Sequence, residues 1–220
     1  MKNIVLTLLF LLSSLAASFA QSHRLFTTDE ELSSSLINFI YQDHNNMIWI
    51  ATEDGLNRYD GVKFTVYRHE PGNEHSLAHN YVKVIFEDDK GRLIVGTYAG
   101  LQLYDEATDT FSRLATDESG APFTSFITHI LQRKNGEIWA TGNRLVKLDI
   151  TPDGELHIQW AKLPAGVPTE MLEYALEDKS GNLWLVKEGD GIYRVSPDNQ
   201  VRHYDEGQHA FAILTLCEDK

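Results

Sequence analysis

The chain has 220 residues, with 32 acidic against 19 basic side chains and a formal net charge of −13. Such an excess of carboxylates repels a phosphate backbone, so nucleic-acid binding is excluded as the role of this segment; the charge supports solubility and names no partner. Cys217 is the only cysteine, so no disulfide forms within the chain, and any pairing would need a cysteine beyond residue 220.

The first twenty residues read as a secretory signal peptide. Lys2 supplies the positive start, residues 4–15 the apolar stretch, and Ser18-Phe19-Ala20 a small-x-small cleavage site after Ala20. The stretch is short for a membrane span, and position 21 is Gln, not the cysteine of a lipoprotein. The mature chain is therefore expected outside the cytoplasm.

From there the sequence repeats. Trp49, Ile94, Trp139 and Trp184 stand about 45 residues apart, and their surroundings repeat with them. The copies read IYQDHNNMIWIATEDGLNRYD, IFEDDKGRLIVGTYAGLQLYD, ILQRKNGEIWATGNRLVKLD and ALEDKSGNLWLVKEGDGIYRV, and a fifth begins at Ile213. Within the second unit, the apolar run Val82-Lys83-Val84-Ile85-Phe86 leads into the turn Asp88-Asp89-Lys90-Gly91. A second run follows at Leu93-Ile94-Val95-Gly96-Thr97, then a tight turn at Gly100, then a third run at Leu101-Gln102-Leu103-Tyr104. Asx and Gly supply hairpin turn geometry. Residues 111–114 complete a fourth strand, so each unit predicts one four-stranded antiparallel blade of a β-propeller. The fold class is all-β, with four blades near residues 35–67, 80–114, 125–160 and 170–204 and the start of another at 211–220.

Residues 169–179 (TEMLEYALEDK) alone favour helix by local propensity. The repeat alignment places Tyr174 in the column of Phe39, Val84 and His129, inside first strands, and a strand is predicted there. The repeated tryptophans read as core between blades, a burial contributing about 2–3 kcal/mol each. Trp160 lies outside their column and reads as outer-strand core, with a ligand platform as the alternative. Cys217 falls in the first strand of the fifth unit and is expected to be a buried apolar thiol.

These motifs resemble the regulator-propeller repeat of bacterial two-component sensors. Residues 49–61 match the second half of its pattern, and Asn80-Tyr81-Val82, Asp88, Gly91, Gly96-Thr97, Gly100-Leu101 and Tyr104-Asp105 match again. The third unit departs, with Asn143-Arg144-Leu145 in place of the glycine turn, and the fourth carries one extra residue before Gly191. The resemblance implies the periplasmic, N-terminal part of a hybrid sensor histidine kinase. Its parent would carry about fourteen blades, a membrane helix and a kinase, and would act as a homodimer that senses glycan-derived oligosaccharides and controls transcription. In that family, residues near 25–32 supply a strand to the last blade. Four blades do not close a ring of about seven, so the chain alone is expected to be aggregation-prone or partly ordered.

Catalytic residues are not indicated. The loop His69, Glu70, Glu74, His75, His79 has residue types that bind zinc, yet a solvated loop between blades accounts for it, and neither a metal nor a cofactor is expected. P-loop, G-x-S-x-G and H-E-x-x-H elements are absent. Arg58-Tyr59-Asp60 reads as blade framework. The sequence singles out no ligand-binding residues. The leading function is non-catalytic ligand sensing; the alternatives are an exported propeller lyase or glycoside hydrolase, and a scaffold.

Overall fold

The computed structural model describes residues 25–28, 31–204 and 215–219. The proposed signal peptide lies outside these residues, as does the beginning of the fifth unit. Sixteen strands form four antiparallel sheets, each in simple up-and-down order. Blade 1 holds β1 (Ile37–Gln42), β2 (Ile48–Thr52), β3 (Gly55–Tyr59) and β4 (Phe64–Tyr67). Blade 2 holds β5 (Val82–Glu87), β6 (Leu93–Thr97), β7 (Leu101–Asp105) and the short β8 (Thr110–Phe111). Blade 3 holds β9 (Ile127–Gln132), β10 (Ile138–Gly142), β11 (Val146–Ile150) and β12 (Leu156–Trp160). Blade 4 holds β13 (Leu172–Glu177), β14 (Leu183–Lys187), β15 (Gly191–Val195) and β16 (Val201–Tyr204). The described residues contain no helix, so none long and apolar enough to cross a membrane.

Residues 172–177 are strand, as the repeat requires and against their helix propensity. Pairing with β14 across five register positions, and burial of Leu172 and Ala175 between blades, override the local preference. Successive first strands, β1, β5, β9 and β13, lie against one another, so these are the inner edges of the blades.

The core is divided among the seams. Trp49, Leu56, Val82, Ile85 and Val95 fill the seam of blades 1 and 2. Val84, Ile94, Leu101, Ile127 and Ile138 fill that of blades 2 and 3, and Trp139, Leu145, Leu172 and Leu185 that of blades 3 and 4. The second strands of the two middle blades contribute to a seam on each face, Ile94 and Val95 of β6 lying in different seams and Ile138 and Trp139 of β10 likewise, which is why Leu93-Ile94-Val95 lacks polar alternation. Trp49 and Trp139 are buried as expected, and Ile94 takes the same place in blade 2. Trp184 is half-buried and stacks on Tyr204.

Two polar stitches recur at the seams. Every first strand carries one bulged residue near its start: Asn38, Lys83, Thr128 and Glu173. A bulge re-aims its side chain. Asn38 Nδ2 donates to Val82 O at 2.8 Å, and Thr128 Oγ1 donates to Leu172 O at 2.7 Å, each crossing to the next blade. At the opposite end, the last residue of the first strand in blades 2, 3 and 4 reaches back to the preceding blade's hairpin turn. Glu87 accepts from His44 N at 3.1 Å, Gln132 from Asp89 N at 2.9 Å, and Glu177 from Lys134 N at 2.8 Å. Glu218 accepts from Lys179 N at 2.9 Å in the same manner.

Cys217 beside it corrects the expectation of a buried thiol. It is exposed, because residues 215–219 form no strand and no sheet face covers them. Residues 25–28 and 31–32 likewise have no strand, and Phe26 packs edge-on against Tyr59 and Phe64 at 5.1 and 5.0 Å.

Candidate functional site

Blade geometry defines two rims. The lower rim carries the turns after each first strand. The upper rim carries the residues that enter the first strands and the turns between second and third strands, because Ile37 pairs with Thr52 while Gln42 pairs with Ile48. Loops over such a scaffold are where binding groups collect.

At the upper rim one repeat column is apolar in every blade: Leu36, Tyr81, Phe126 and Met171, with Leu36 and Met171 each more than half exposed. Each is the last residue before its first strand. A second column, at the tip of the adjoining turn, reads Glu53, Tyr98, Asn143 and Glu188. The backbone joins the columns within a blade: Glu53 N donates to Leu36 O at 3.2 Å, Tyr98 N to Tyr81 O at 3.0 Å, and Asn143 N to Phe126 O at 3.2 Å.

In blade 2 the tip is aromatic, and a ring cluster results. Tyr98, 57% exposed, lies 5.1 Å from Phe126, 5.4 Å from His79 and 6.1 Å from Tyr81, centroid to centroid. Tyr81 meets Phe126 edge-on at 6.1 Å, bridging blades 2 and 3. His79 is fixed by accepting the Tyr81 amide proton at Nδ1, 2.9 Å. Burial, and then the nearby Glu53 carboxylate, push the Tyr81 phenol above its ordinary value. Asp54 and Asn80 stand at the margin, Asn80 Nδ2 donating to Asp54 Oδ1 at 3.1 Å.

The other singled-out residues fall elsewhere. His69 Nδ1 contacts Leu77 O at 2.8 Å and His75 Nδ1 contacts Phe111 O at 3.2 Å. With His79 directed at the Tyr81 amide, the three histidines serve separate backbone contacts. Among the described residues no group of three or more His, Cys, Asp or Glu is arranged to hold a metal ion.

Trp160 is not core. It sits at the end of β12, where no further sheet covers it, and is 38% exposed with the Arg144 guanidinium 4.3 Å from its ring.

Arg58 of the Arg-Tyr-Asp trio is framework, as expected, and it ties blades 1 and 2. It pairs with Asp109 at 2.9 Å, donates to the Tyr104 hydroxyl, and lies 5.6–5.8 Å from the rings of Tyr67, Trp49 and Tyr104. Burial, and then hydrogen bonding to Asp109, push the Tyr104 hydroxyl up to about 12 and raise Tyr67 as well.

A cleft of about 810 Å³ opens between the outer strands of blades 2 and 3, lined by His75, Arg113, Glu155 and His157 among others. Neither the rim cluster nor this cleft was visible in the sequence. The rim could have been found by comparing tip residues across repeats, since Tyr98 is the one aromatic in its column.

Four-stranded antiparallel blades with inner first strands and seam cores define the β-propeller class. Residues 31–54 and 76–99 match the family model described as two component regulator propeller, so these two segments carry that family's repeat. It is similar, at 35% identity over 83 residues, to a protein of Formosa agariphila named Histidine kinase P4; the match covers 36% of this chain and 6% of that one. Among solved structures it is similar to the extracellular domain of a hybrid two component system from B. thetaiotaomicron, at 25% identity and a TM-score of 0.70, covering 83% of this chain and 26% of that one. Virginiamycin B lyase of Staphylococcus aureus shares the fold at 16% identity, with a TM-score of 0.60, covering 89% of this chain and 62% of that one. The chain thus spans about a quarter of that extracellular domain and a small part of the curated relative that it matches.

Proposed function

We propose that the chain is the non-catalytic, periplasmic ligand-sensing part of a two-component sensor, delivered by its signal peptide and acting within a longer, membrane-anchored hybrid histidine kinase. The match of two repeats to the regulator-propeller model carries this reading, together with similarity to an extracellular domain of a hybrid two component system. The ligand is a glycan-derived oligosaccharide, taken at a rim built by loops from several blades, and the output is transcription. In a homodimeric parent, the ligand switches the kinase only by binding one arrangement of the ectodomain more tightly than the other.

The test begins with the gene beyond codon 220. Further repeats, a membrane helix and a kinase core are expected there; a stop codon after a few more blades would overturn the reading. The complete ectodomain is then fused to a reporter kinase and challenged with oligosaccharides. Glycan-dependent reporter output supports the proposal, and a fusion that signals constitutively but answers no glycan counts against it.

A further inference from the structure

We propose that the ring cluster of Tyr98, Tyr81, Phe126 and His79 is a platform on which this chain stacks a sugar unit of an uncharged oligosaccharide, and that it disfavours uronate- or sulfate-bearing glycans. The inference rests on the oligosaccharide reading above and adds the residues and the class of sugar.

Four observations converge on it. The other described blades place Glu53, Asn143 or Glu188 at the turn tip, so the turn itself does not demand an aromatic there. Tyr98 nonetheless places a 57% exposed ring at that tip, and among the described residues its hydroxyl has no hydrogen-bond partner. An exposed cluster of rings marks a binding surface better than a buried one does.

The ring is also held in place. Its amide donates to Tyr81 O at 3.0 Å, the Ala99 amide donates to Thr97 Oγ1 at 3.1 Å within the same turn, and His79 and Phe126 flank it. A platform ordered before binding loses less conformational freedom on binding.

The geometry suits a pyranose. Tyr98 of blade 2 and Phe126 of blade 3 stand at an interplanar angle of 35°, and His79 and Tyr98 at 36°. The electron-rich aromatic face attracts the weakly positive C–H face of a sugar. Hydroxyls at the sugar's edge meet acceptors at the margin, namely the carboxylates of Glu53 and Asp54.

Charge decides between glycan classes. Among the described residues no lysine or arginine stands over any of the four rings, whereas Glu53 is near enough to perturb Tyr81. Asp54 is already paired with Arg68 at 3.2 Å, so Glu53 is the carboxylate that an anionic sugar would meet without a paired cation, in a chain already at −13.

The experiment uses the complete ectodomain and its Tyr98→Glu variant. Glutamate occurs at this tip in blades 1 and 4, so the variant is expected to fold; far-UV circular dichroism and the melting temperature check that it does. Calorimetric titration uses cellohexaose, mannohexaose, xylohexaose and laminarihexaose as neutral probes, with hexamers of galacturonate and mannuronate as anionic ones. The expected result is that at least one neutral probe binds, that Tyr98→Glu weakens it at least tenfold, and that the anionic probes bind at least tenfold more weakly than the best neutral one. Tightest binding by an anionic probe overturns the charge argument. Neutral binding unchanged in a folded Tyr98→Glu overturns the placement, and absence of binding by all probes overturns the platform. None of these outcomes alters the reporter-fusion result, so failure here and failure of the sensor reading remain distinct.

Discussion

The indole N–H of Trp49 donates to Asp43 Oδ2 at 2.7 Å, joining the repeat's conserved-length hairpin turn to the ring packed in the seam. Asp43 Oδ1 accepts the amides of Asn45 and Met47, each at 2.9 Å, so one carboxylate both shapes the turn and satisfies a buried donor. Blade 4 repeats it: Trp184 Nε1 donates to Asp178 Oδ2 at 2.8 Å, and Asp178 Oδ1 accepts Ser180 N and Asn182 N at 2.9 and 2.8 Å. Blade 2 has Ile94 and no indole, and Asp88 takes Arg92 Nε at 2.7 Å instead. Blade 3 has Arg133 where the aspartate would stand, and Glu137 accepts from Trp139 Nε1 at 3.1 Å.

Asp178→Ala should therefore cost more than a surface substitution, about 1–3 kcal/mol, because it strands an indole donor and loosens a turn. Burial acts to raise the Asp178 carboxyl, but hydrogen bonds from Trp184, Asn182 and the backbone outweigh it and hold the group below its ordinary value. A carboxylate depressed in the fold stabilises above its unfolded value, and that contribution is lost as pH falls through the folded one. Denaturant melts of the parent chain should weaken on acidification below about pH 4, and Asp178→Ala should reduce that acid dependence. Equal acid slopes in the two proteins would contradict the assignment.

The clasp at the lower rim makes a local prediction. Glu177 accepts from Lys134 N at 2.8 Å and from Arg133 Nη2 at 3.2 Å, holding blade 4 to blade 3. Glu177→Ala should lower stability by about 1–2 kcal/mol and speed hydrogen exchange at the Lys134 amide. Exchange at the hairpin of β5 and β6, clasped by Gln132, should change far less. Uniform acceleration along the chain would indicate a general loss of packing and not a broken clasp.

Blade existence, strand order and the seam position of Trp49 and Trp139 were legible because a repeat samples the same structural position several times. Residues 172–177 show the strength of that signal, since the alignment was right where propensity pointed elsewhere. What the sequence did not display were contacts between columns. Glu87 meeting the His44 turn joins residues of two blades, and a linear motif does not reveal which end of a strand faces which turn. The aromatic rim escaped for the same reason: Tyr98 and Phe126 are distant in sequence and meet only once blades 2 and 3 are packed. Trp160 and Cys217 were misplaced because strand position alone does not tell whether another surface covers that strand.

Gly142 ends β10 at the point where the third repeat departs from the others. Its φ is +149°, a conformation L side chains rarely adopt, and a Cβ there would lie 1.9 Å from Phe126 O. Gly142→Ala must displace backbone, beyond side-chain adjustment, and should destabilise by about 2–4 kcal/mol. Because Asn143 N donates to Phe126 O, the displacement should also disturb the rim cluster. The check is a denaturant midpoint measured alongside Gly154→Ala, where a Cβ would meet nothing within 4 Å although φ is +85°. Gly142→Ala should be the more costly of the two, and the reverse order would refute the clash argument.

His129 supplies a pH dependence of opposite chemistry to the aspartates but the same direction. Its ring stacks on Tyr174 at 3.8 Å across the seam of blades 3 and 4, and its buried Nδ1 has no hydrogen-bond partner. Burial holds its pKa down to about 4, against an ordinary value of 6.5. Between those values the unfolded chain binds the proton more readily than the folded one, so stability is complete above 6.5 and declines as pH falls toward 4. The full decline from this residue is at most about 3 kcal/mol. His129→Phe keeps a ring against Tyr174 while removing the titration. Chemical denaturation from pH 7.5 to 4.5 should show a steep decline for the parent chain and a shallower one for His129→Phe. Matching profiles would mean that His129 protonates without opening the seam, and that the stack carries no pH-dependent share of the stability.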